Sequence, residues 1–309
     1  MSAAGGGPTI TLDGVSRWFG NVVAVNEISF ELSAGVTGLL GPNGAGKSTL
    51  LHMLSGFLEP SAGSVTVLGG SPWCNPALYR HVGLVPEREA VYGHLTGYEF
   101  VLLSARLQGL ADPRGAARRA IEEVDLGAAA TRTTGGYSKG MKQRIKVAAA
   151  LVHDPTVLLL DEPFNGADPR QRLHMTELFQ RLATEGRTIL FSSHILEEVE
   201  RLAERVLVIV AGRLAASGDF REIRRLMTDA PHTFVLRTSD DRRLAAALVA
   251  HESVVGVEVG NELLTVRTSQ LGAFARAAPV IARDAAVSIH ELRPTDESLE
   301  GVFSYLVNR

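Results

Sequence analysis

The run from Gly41 to Thr49 limits what this chain can fold into more than any other feature. It fits the pattern G-x-x-x-x-G-K-[ST], which forms a loop that cradles nucleotide phosphates. The apolar residues 36–40 before it predict a buried strand, and residues 49–54 after it predict a helix whose N-terminal dipole favours an anion. The run therefore predicts an α/β fold of the P-loop type. Its members are Gly41, Pro42, Asn43, Gly44, Ala45, Gly46, Lys47, Ser48 and Thr49.

Each part of this loop has a chemical role in the prediction. The glycines let the backbone turn its N–H groups towards an anion without interference from a Cβ atom. We expect the Lys47 ammonium to reach the β- and γ-phosphates and the Ser48 hydroxyl to ligate Mg²⁺.

A second candidate element is the apolar run 157–160, which ends in Asp161 and Glu162. Asp161 is placed to hold Mg²⁺, directly or through water, and Glu162 could polarise the attacking water. The alternative is a strand that simply ends in acidic turn residues. Lys47 and Asp161 both follow predicted parallel strands, and parallel sheets bind ligands at that edge.

The order of predicted elements suggests two domains. Alternating apolar and polar residues in 9–35 predict antiparallel strands. Residues 95–135 look helical, with a break at Asp112-Pro113. Strand-like apolar runs then recur at 156–160, 188–191 and 206–210. Strands that alternate with helices predict a parallel sheet. A boundary is expected at 228–232, and beyond it the order β-α-β-β-α-β predicts a small ferredoxin-like α+β module over 232–309 that ends in a helix at 298–307.

Composition excludes several classes of protein. The 309 residues carry a net charge of −3, so no overall basic field attracts nucleic acid, and no nucleic-acid partner is expected. The single cysteine rules out a disulfide framework and fits a reducing compartment. No apolar run reaches the length of a membrane span. Residues 1–8 predict a flexible tail rather than a signal peptide.

Further motifs follow in a fixed order. The run 137–144 contains Ser138 and Gly140, the run 164–169 contains Asp168, and a strand at 188–191 leads to His194. Glu87 ends the run 82–87, and Phe19-Gly20 lies within the alternating run 9–35. From about 9 to 225, order and spacing resemble those of the ATP-binding-cassette (ABC) ATPases. The resemblance implies a nucleotide-binding domain over 9–228 with a helical subdomain at about 95–150.

The resemblance implies a mechanism in which two cassettes face each other head to tail with ATP and Mg²⁺ between them. One chain would supply the phosphate loop, Asp161, Glu162 and His194. The other chain would supply Ser138 and Gly140, which would hold the γ-phosphate at a helix N-terminus. Asp168 would belong to the loop that contacts the nucleotide across the dimer.

Three positions depart from the family pattern or leave alternatives open. Glu87 replaces the usual Gln, where a carboxylate can meet Mg²⁺ or water, or is a solvated loop acid. The run 137–144 occupies the place of the family's signature segment. Within it, Lys139 either adds positive charge near the partner's phosphate or lies on a helix face with two other lysines. Phe19 is favoured for stacking on adenine, although Trp18 and Phe19 could both belong to the core.

Within this family, the sequence favours a subunit of a transporter, because the chain has one cassette and no coiled-coil insertion. The resemblance implies a second cassette, a separate membrane permease bound in the groove near 87–103, and a place on the cytoplasmic face of a bacterial membrane. The ending 294–303 resembles that of exporter ATPases for drugs, antibiotics, lipids or polysaccharides. A soluble ATPase that remodels a nucleoprotein, and a non-hydrolysing scaffold, remain alternatives.

Overall fold

A computed structural model describes residues 7–88, 91–219, 232–260 and 263–294 of the chain. The chain divides into two compact units, Met1–Gly218 and Asp219–Arg309. The predicted tail at 1–8 and the predicted boundary at 228–232 lie almost wholly outside the described residues. The predicted helix at 298–307 lies entirely outside them.

The first unit contains two sheets and a group of helices. Its strands are β1 (Ile10–Phe19), β2 (Val22–Leu32), β3 (Gly35–Leu40), β4 (Ala62–Val67), β5 (Val82–Val85), β6 (Val157–Leu160), β7 (Thr188–Ser193), β8 (Arg205–Val210) and β9 (Arg213–Gly218). Its α-helices are α1 (Lys47–Leu54), α2 (Pro76–Tyr79), α3 (Gly97–Leu107), α4 (Pro113–Glu123), α5 (Lys139–Leu151), α6 (Pro169–Thr184) and α7 (Leu196–Leu202).

The larger sheet has the strand order β5-β6-β7-β3-β8-β9. Its first five strands are parallel, and β9 returns antiparallel to β8. Every residue of β6 and β7 is buried, as expected for a sheet covered on both faces. The smaller sheet is antiparallel, in the order β2-β1-β4. The predicted fold class, a mixed sheet with an antiparallel subdomain and a helical subdomain, is confirmed. The sequence did not reveal β9, because its last four residues are small and its residues alternate between exposed and half-buried.

The helical layer is formed by α3, α4 and α5, which pack against one another. Thr96 and Glu99 form a capping box at the start of α3, and Asp112 caps α4 with Pro113 in its first turn. The helical prediction for 95–135 is wrong beyond 123. Asp125 adopts φ 53°, which ends α4, and the residues that follow form two short 3₁₀ helices, Gly127–Ala129 and Thr134–Gly136.

One hydrophobic core joins both sheets of the first unit through α1. Leu50, Leu51 and Met53 of this helix are fully buried in the same cluster as Ile10 of β1 and Leu159 of β6. The helix that follows the phosphate loop is therefore fixed between two sheets. Close packing of this kind resists displacement, so it holds the loop at a constant position relative to the ends of the parallel strands.

The described part of the second unit, residues 232–260 and 263–294, forms a four-stranded antiparallel sheet with two helices. In chain order it contains β10 (His232–Thr238), α8 (Asp241–Val249), β11 (Val254–Val259), β12 (Leu264–Thr268), α9 (Leu271–Asp284) and β13 (Ile289–Pro294). The sheet order is β11-β12-β10-β13. The last strand begins three residues later than the sequence predicts, because Ala286 turns the chain at φ 51° after α9.

Phe274 of α9 is the central side chain of this second core, where its ring centroid lies 4.8 Å from that of Phe234. We expect Phe274→Ala to lower the free energy of unfolding of the second unit by about 3–5 kcal/mol, since it leaves a cavity. Urea unfolding followed by circular dichroism measures this loss. Val280→Ala on the same helix, where the side chain is 46% exposed, should change it by less than about 0.5 kcal/mol. Equal losses in the two variants would contradict the packing described.

Candidate functional site

The ends of three adjacent parallel strands bring the predicted site residues together. Leu160 of β6 is aligned with Phe191 of β7, and Ser193 of β7 is aligned with Leu40 of β3. The phosphate loop follows β3, Asp161 and Glu162 follow β6, and His194 follows β7. The strands β3 and β6 are separated by two strand spacings, which together span about 10 Å. Side chains from all three strand ends can therefore meet at one edge of the sheet.

The phosphate loop leads directly into α1. Gly46 is the N-cap of this helix at φ 103°, and a Cβ atom there would collide with the carbonyl oxygen of Ala24. Only glycine fits both demands. The helix has no side-chain cap and no acidic residue in its first turn, so its positive N-terminal end remains available to an anion. Ser48 and Thr49 lie half-buried in that first turn, and Asn43 and Gly44 are exposed.

The Lys47 ammonium is buried between the loop and the acidic pair. Its Nζ donates to the carbonyl oxygens of Gly41 at 2.7 Å and Pro42 at 3.1 Å, and lies 4.0 Å from Glu162 Oε1. The structure thus places Lys47 and Glu162 in one site. A cation at this position can neutralise negative charge on a bound phosphate chain.

Ser192 holds the two carboxylates in place. Its hydroxyl donates to Asp161 Oδ1 at 2.6 Å and accepts from the Glu162 N–H at 2.9 Å. Glu162 has φ 50°, a left-handed conformation that is uncommon for residues other than glycine. Gln143 of α5 donates to the Glu162 carbonyl oxygen at 3.4 Å. These bonds stabilise a turn that directs the two adjacent carboxylates separately.

His194 contacts Glu162 symmetrically. Its Nδ1 lies 3.0 Å from both Glu162 carboxylate oxygens, and the imidazole is half-exposed while the carboxylate is buried. When Nδ1 is protonated, the ring donates a hydrogen bond to Glu162, and the other ring nitrogen, Nε2, takes no part in this contact. The two predicted catalytic side chains therefore form a hydrogen-bonded pair.

Burial shifts the two central ionisable groups in opposite directions. Burial raises the pKa of Glu162, and hydrogen bonding and charge from His194, followed by the charge of Lys47, partly offset that rise. Burial lowers the pKa of Lys47, and the negative charges of Glu162, Asp161 and Glu87 partly offset that fall. Each group thus favours the ionised form of the other, and an ionised Glu162 is the form that can accept a proton from water.

The available donors fit Mg²⁺ that is bound together with a nucleotide. Asp161 is buried and has a carboxylate oxygen in addition to the one bound by Ser192, and Ser48 carries a hydroxyl in the first turn of α1. Mg²⁺ usually takes one or two protein oxygens together with phosphate oxygens and water. In the part of the chain that the structure describes, no group of three or more His, Cys, Asp or Glu side chains could hold a metal alone. The cation and the phosphates would therefore complete each other's coordination.

The signature segment begins α5. Ser138 caps this helix by accepting the Met141 N–H at 3.2 Å, and its side chain is exposed. Gly140 is buried, and a Cβ atom there would collide with the Gln171 side chain. Asp168 caps α6 by accepting the Gln171 N–H at 2.9 Å. The helix α5 packs on β5, which is three strands away from β3 in the order of the sheet.

Phe19 and Trp18 are each 45% exposed, so neither belongs to the core. The Arg17 guanidinium carbon lies 4.7 Å from the Phe19 ring centroid, which covers one face of that ring. Glu87 is exposed in the loop after β5. The residue two positions earlier, Val85, accepts the Asp161 N–H at 2.8 Å, so the loop that carries Glu87 leaves the sheet beside the acidic strand end.

Sequence reasoning missed Ser192 and Lys146. Ser192 is the residue before Ser193 at the end of β7, and only the register of β6 against β7 shows that it meets Asp161. Lys146 was grouped with Lys139 and Lys142 as one helix face, but Lys146 is buried and binds backbone carbonyl groups. A lysine between Ile145 and Val147, which are both buried, was the signal that the sequence offered.

Comparison with known proteins adds independent information. The family model described as "ABC transporter" matches residues 25–165. The daunorubicin resistance ATP-binding protein DrrA3 of Streptomyces coeruleorubidus is 35% identical over 96% of this chain and 95% of its own length. The Nod factor export ATP-binding protein I of Burkholderia lata is 35% identical over 93% of this chain and 88% of its own length. One further relative aligns with 65% of this chain, and the aligned region covers 62% of that relative's own length.

A solved structure of similar fold is the "ATP binding subunit of ABC transporter". It is 28% identical and aligns with a TM-score of 0.65 over 71% of this chain and 93% of that one. Across the described ranges, no helix combines the length and the apolar composition that crossing a bilayer requires.

The hydrogen bond from His194 should control the ionisation of Glu162. We expect His194→Ala to raise the pKa of the Glu162 carboxyl above its wild-type value, because burial persists while the main offsetting contact is lost. An NMR titration of ¹³C-labelled glutamate carboxyl groups, assigned with Glu162→Gln, measures the shift without turnover. An unchanged or lowered pKa would contradict the pairing. Replacing His251, which lies in the second unit, is the matched control.

Proposed function

Since this chain belongs to the ABC transporter family of ATPases, we propose that it drives a separate membrane permease and acts as an exporter subunit. The observation that carries the proposal is the group formed by Lys47, Glu162 and His194 at the ends of adjacent parallel strands. These side chains are arranged for hydrolysis of a phosphoanhydride.

Hydrolysis follows from the roles that this geometry allows. The Glu162 carboxylate accepts a proton from the water that attacks the γ-phosphate, and its His194 partner orients the carboxylate and presents Nε2 to the phosphate. Lys47 neutralises charge on the β- and γ-phosphates. Ser48 and Asp161 would hold Mg²⁺, which when bound supplies further neutralisation of the phosphate oxygens.

The second half of the site would come from another cassette. Ser138 and Gly140 lie at the N-terminus of α5, where the exposed Ser138 side chain suits a nucleotide held by a partner cassette. Asp168 lies at the start of α6 beside the same segment. ATP would then join two cassettes head to tail, and hydrolysis would release them. Phe19 offers the exposed ring on which adenine would stack.

A groove of about 850 Å³ in the first unit is the proposed permease contact. It lies between the helical layer and the sheet, and Pro86, Phe100 and Lys146 contribute to its lining. Phe57 and Leu107 line it with side chains that are 70% and 81% exposed, an unusual exposure for apolar residues. An amphipathic helix of a permease would cover these side chains, on the cytoplasmic face of a bacterial membrane.

The direction of transport and the class of cargo are proposed from the relatives that align along nearly the whole chain. Their names state drug resistance in one case and export of Nod factor in the other. We assign this chain to the same direction, with a drug, a lipid or a polysaccharide as cargo. The permease, rather than this chain, would select the molecule.

Glu162→Gln should leave ATP binding intact and lower turnover at least about a hundredfold, because the amide cannot accept the proton of the attacking water. Lys47→Ala should instead weaken nucleotide binding itself. Equilibrium binding of a fluorescent ATP analogue and a phosphate-release assay separate these two effects. Undiminished turnover in Glu162→Gln would refute its role as the base.

The permease contact can be tested by purification of the tagged protein from native membranes. A polytopic membrane protein should co-purify with the wild type and should be lost with Leu107→Glu, which places a charge in the groove. Leu173→Glu is the matched control, because this exposed leucine on α6 lies outside the groove lining and should retain the partner. Recovery of the wild type only in the soluble fraction, with turnover stimulated by nucleic acid, would overturn the transporter proposal.

A further inference from the structure

Lys146 is a buried cation bound by a loop. Its residue is 5% exposed, and its Nζ donates to three consecutive backbone carbonyl oxygens, those of Pro86 at 2.7 Å, Glu87 at 3.3 Å and Arg88 at 3.1 Å. A lysine ammonium has three N–H donors, so each can serve one carbonyl group. Hydrogen bonds from a charged donor are about twice as strong as neutral ones. The chain that follows β5 therefore curls around a cation supplied by α5.

The loop held in this way carries Glu87. Residues 86–88 lie outside every strand and helix, and the side chains of Glu87 and Arg88 are exposed, so little packing fixes them. The loop nevertheless starts beside the nucleotide site, because the Asp161 N–H donates to the carbonyl oxygen of Val85 at 2.8 Å, two residues before Glu87. The position of the carboxylate thus depends on the backbone of 86–88, and that backbone is bound by Lys146.

We propose that Lys146 is a positioning residue that holds Glu87 towards the phosphates and the cation of the nucleotide site. This inference rests on the proposed function, because it assigns Lys146 a task in the binding of ATP with Mg²⁺. In this proposal Lys146 acts on the nucleotide site through the 86–88 backbone. The family signature does not include this position.

The placement of Lys146 links three parts of the cassette. It lies eight residues beyond Ser138 on α5, about 12 Å along the helix axis. It also lines the permease groove together with Pro86. A helix that enters the groove would pack beside Lys146, the residue that holds the 86–88 backbone. The contact would thereby reach both the nucleotide site and the helix that carries the signature.

Lys146→Met tests the proposal because methionine keeps an unbranched apolar stem and removes the donors. In this variant the carbonyl groups of residues 86–88 lose their cation. The loop includes exposed residues, so water can form hydrogen bonds with these carbonyl groups instead. Lys146→Arg is the matched control, since a guanidinium keeps the charge and offers several donors. Should Lys146→Met fail to fold, as judged by circular dichroism, Lys146→Gln provides the same comparison.

The measurement is equilibrium binding of a fluorescent, non-hydrolysable ATP analogue with and without Mg²⁺. We expect Mg²⁺ to strengthen binding about tenfold less in Lys146→Met than in the wild type, comparable with the loss of an outer partner at a metal site. Binding without Mg²⁺ should stay within about twofold, and Lys146→Arg should restore the wild-type gain. A wild-type gain retained by Lys146→Met would overturn the inference.

A double-mutant cycle separates positioning from general support of the structure. If Lys146 acts through Glu87, the variant Glu87→Ala and the double variant with Lys146→Met should show the same loss of the Mg²⁺ gain. Additive losses would mean that Lys146 acts elsewhere and would refute the proposal. Failure of the wild type to bind the analogue at all would instead refute the proposed function, so the two failures are distinguishable.

Discussion

The site depends on the register of β6 against β7, because that register places Ser192 beside Asp161. The Ser192 hydroxyl bonds the Asp161 carboxylate on one side and the Glu162 amide on the other. Glu162 can thus turn away from Asp161 through a left-handed backbone conformation, which costs about 1–3 kcal/mol unless neighbouring groups support it. One strand end can therefore direct two carboxylates to different tasks, the first towards a cation and the second towards His194 and water.

The sequence predicted the elements that carry strong local signals. The phosphate loop, the acidic strand end and the strand before His194 each have a pattern of residue types that local chemistry explains, and their convergence follows from parallel topology. Register is not a local property. No pattern in the chain shows that Ser192 meets Asp161. Only the apolar neighbours of Lys146 hint that it turns inward, while Lys139, seven residues earlier on the same helix, is exposed. These contacts depend on how separate elements pack.

The failures of the sequence prediction have similar causes. Residues 124–138 contain helix-forming alanines, but Asp125 in a left-handed conformation and the glycines at 127, 135 and 136 favour turns. The end of β9 is small and half-exposed, so neither alternation nor an apolar run marked it. In both places a weak local preference gave way to backbone geometry that the surrounding fold selects.

The electrostatic balance of the site rests on two buried groups of opposite charge. Lys47 and Glu162 are both buried, and burial alone favours the neutral form of each, while their mutual attraction favours the charged forms. In the proposed function, a phosphate chain would add negative charge beside Lys47, a divalent cation would restore the balance near Asp161, and a second cassette would add the positive end of its own α5. Glu87 adds one more negative charge at this edge, and its effect depends on distance, since charge interactions in a protein fall steeply with separation and solvent. Under the proposal made above, Lys146 sets that distance, because it fixes the backbone of 86–88. Lys146 also contributes to the lining of the groove, so a partner helix bound there would lie next to the residue that holds this backbone.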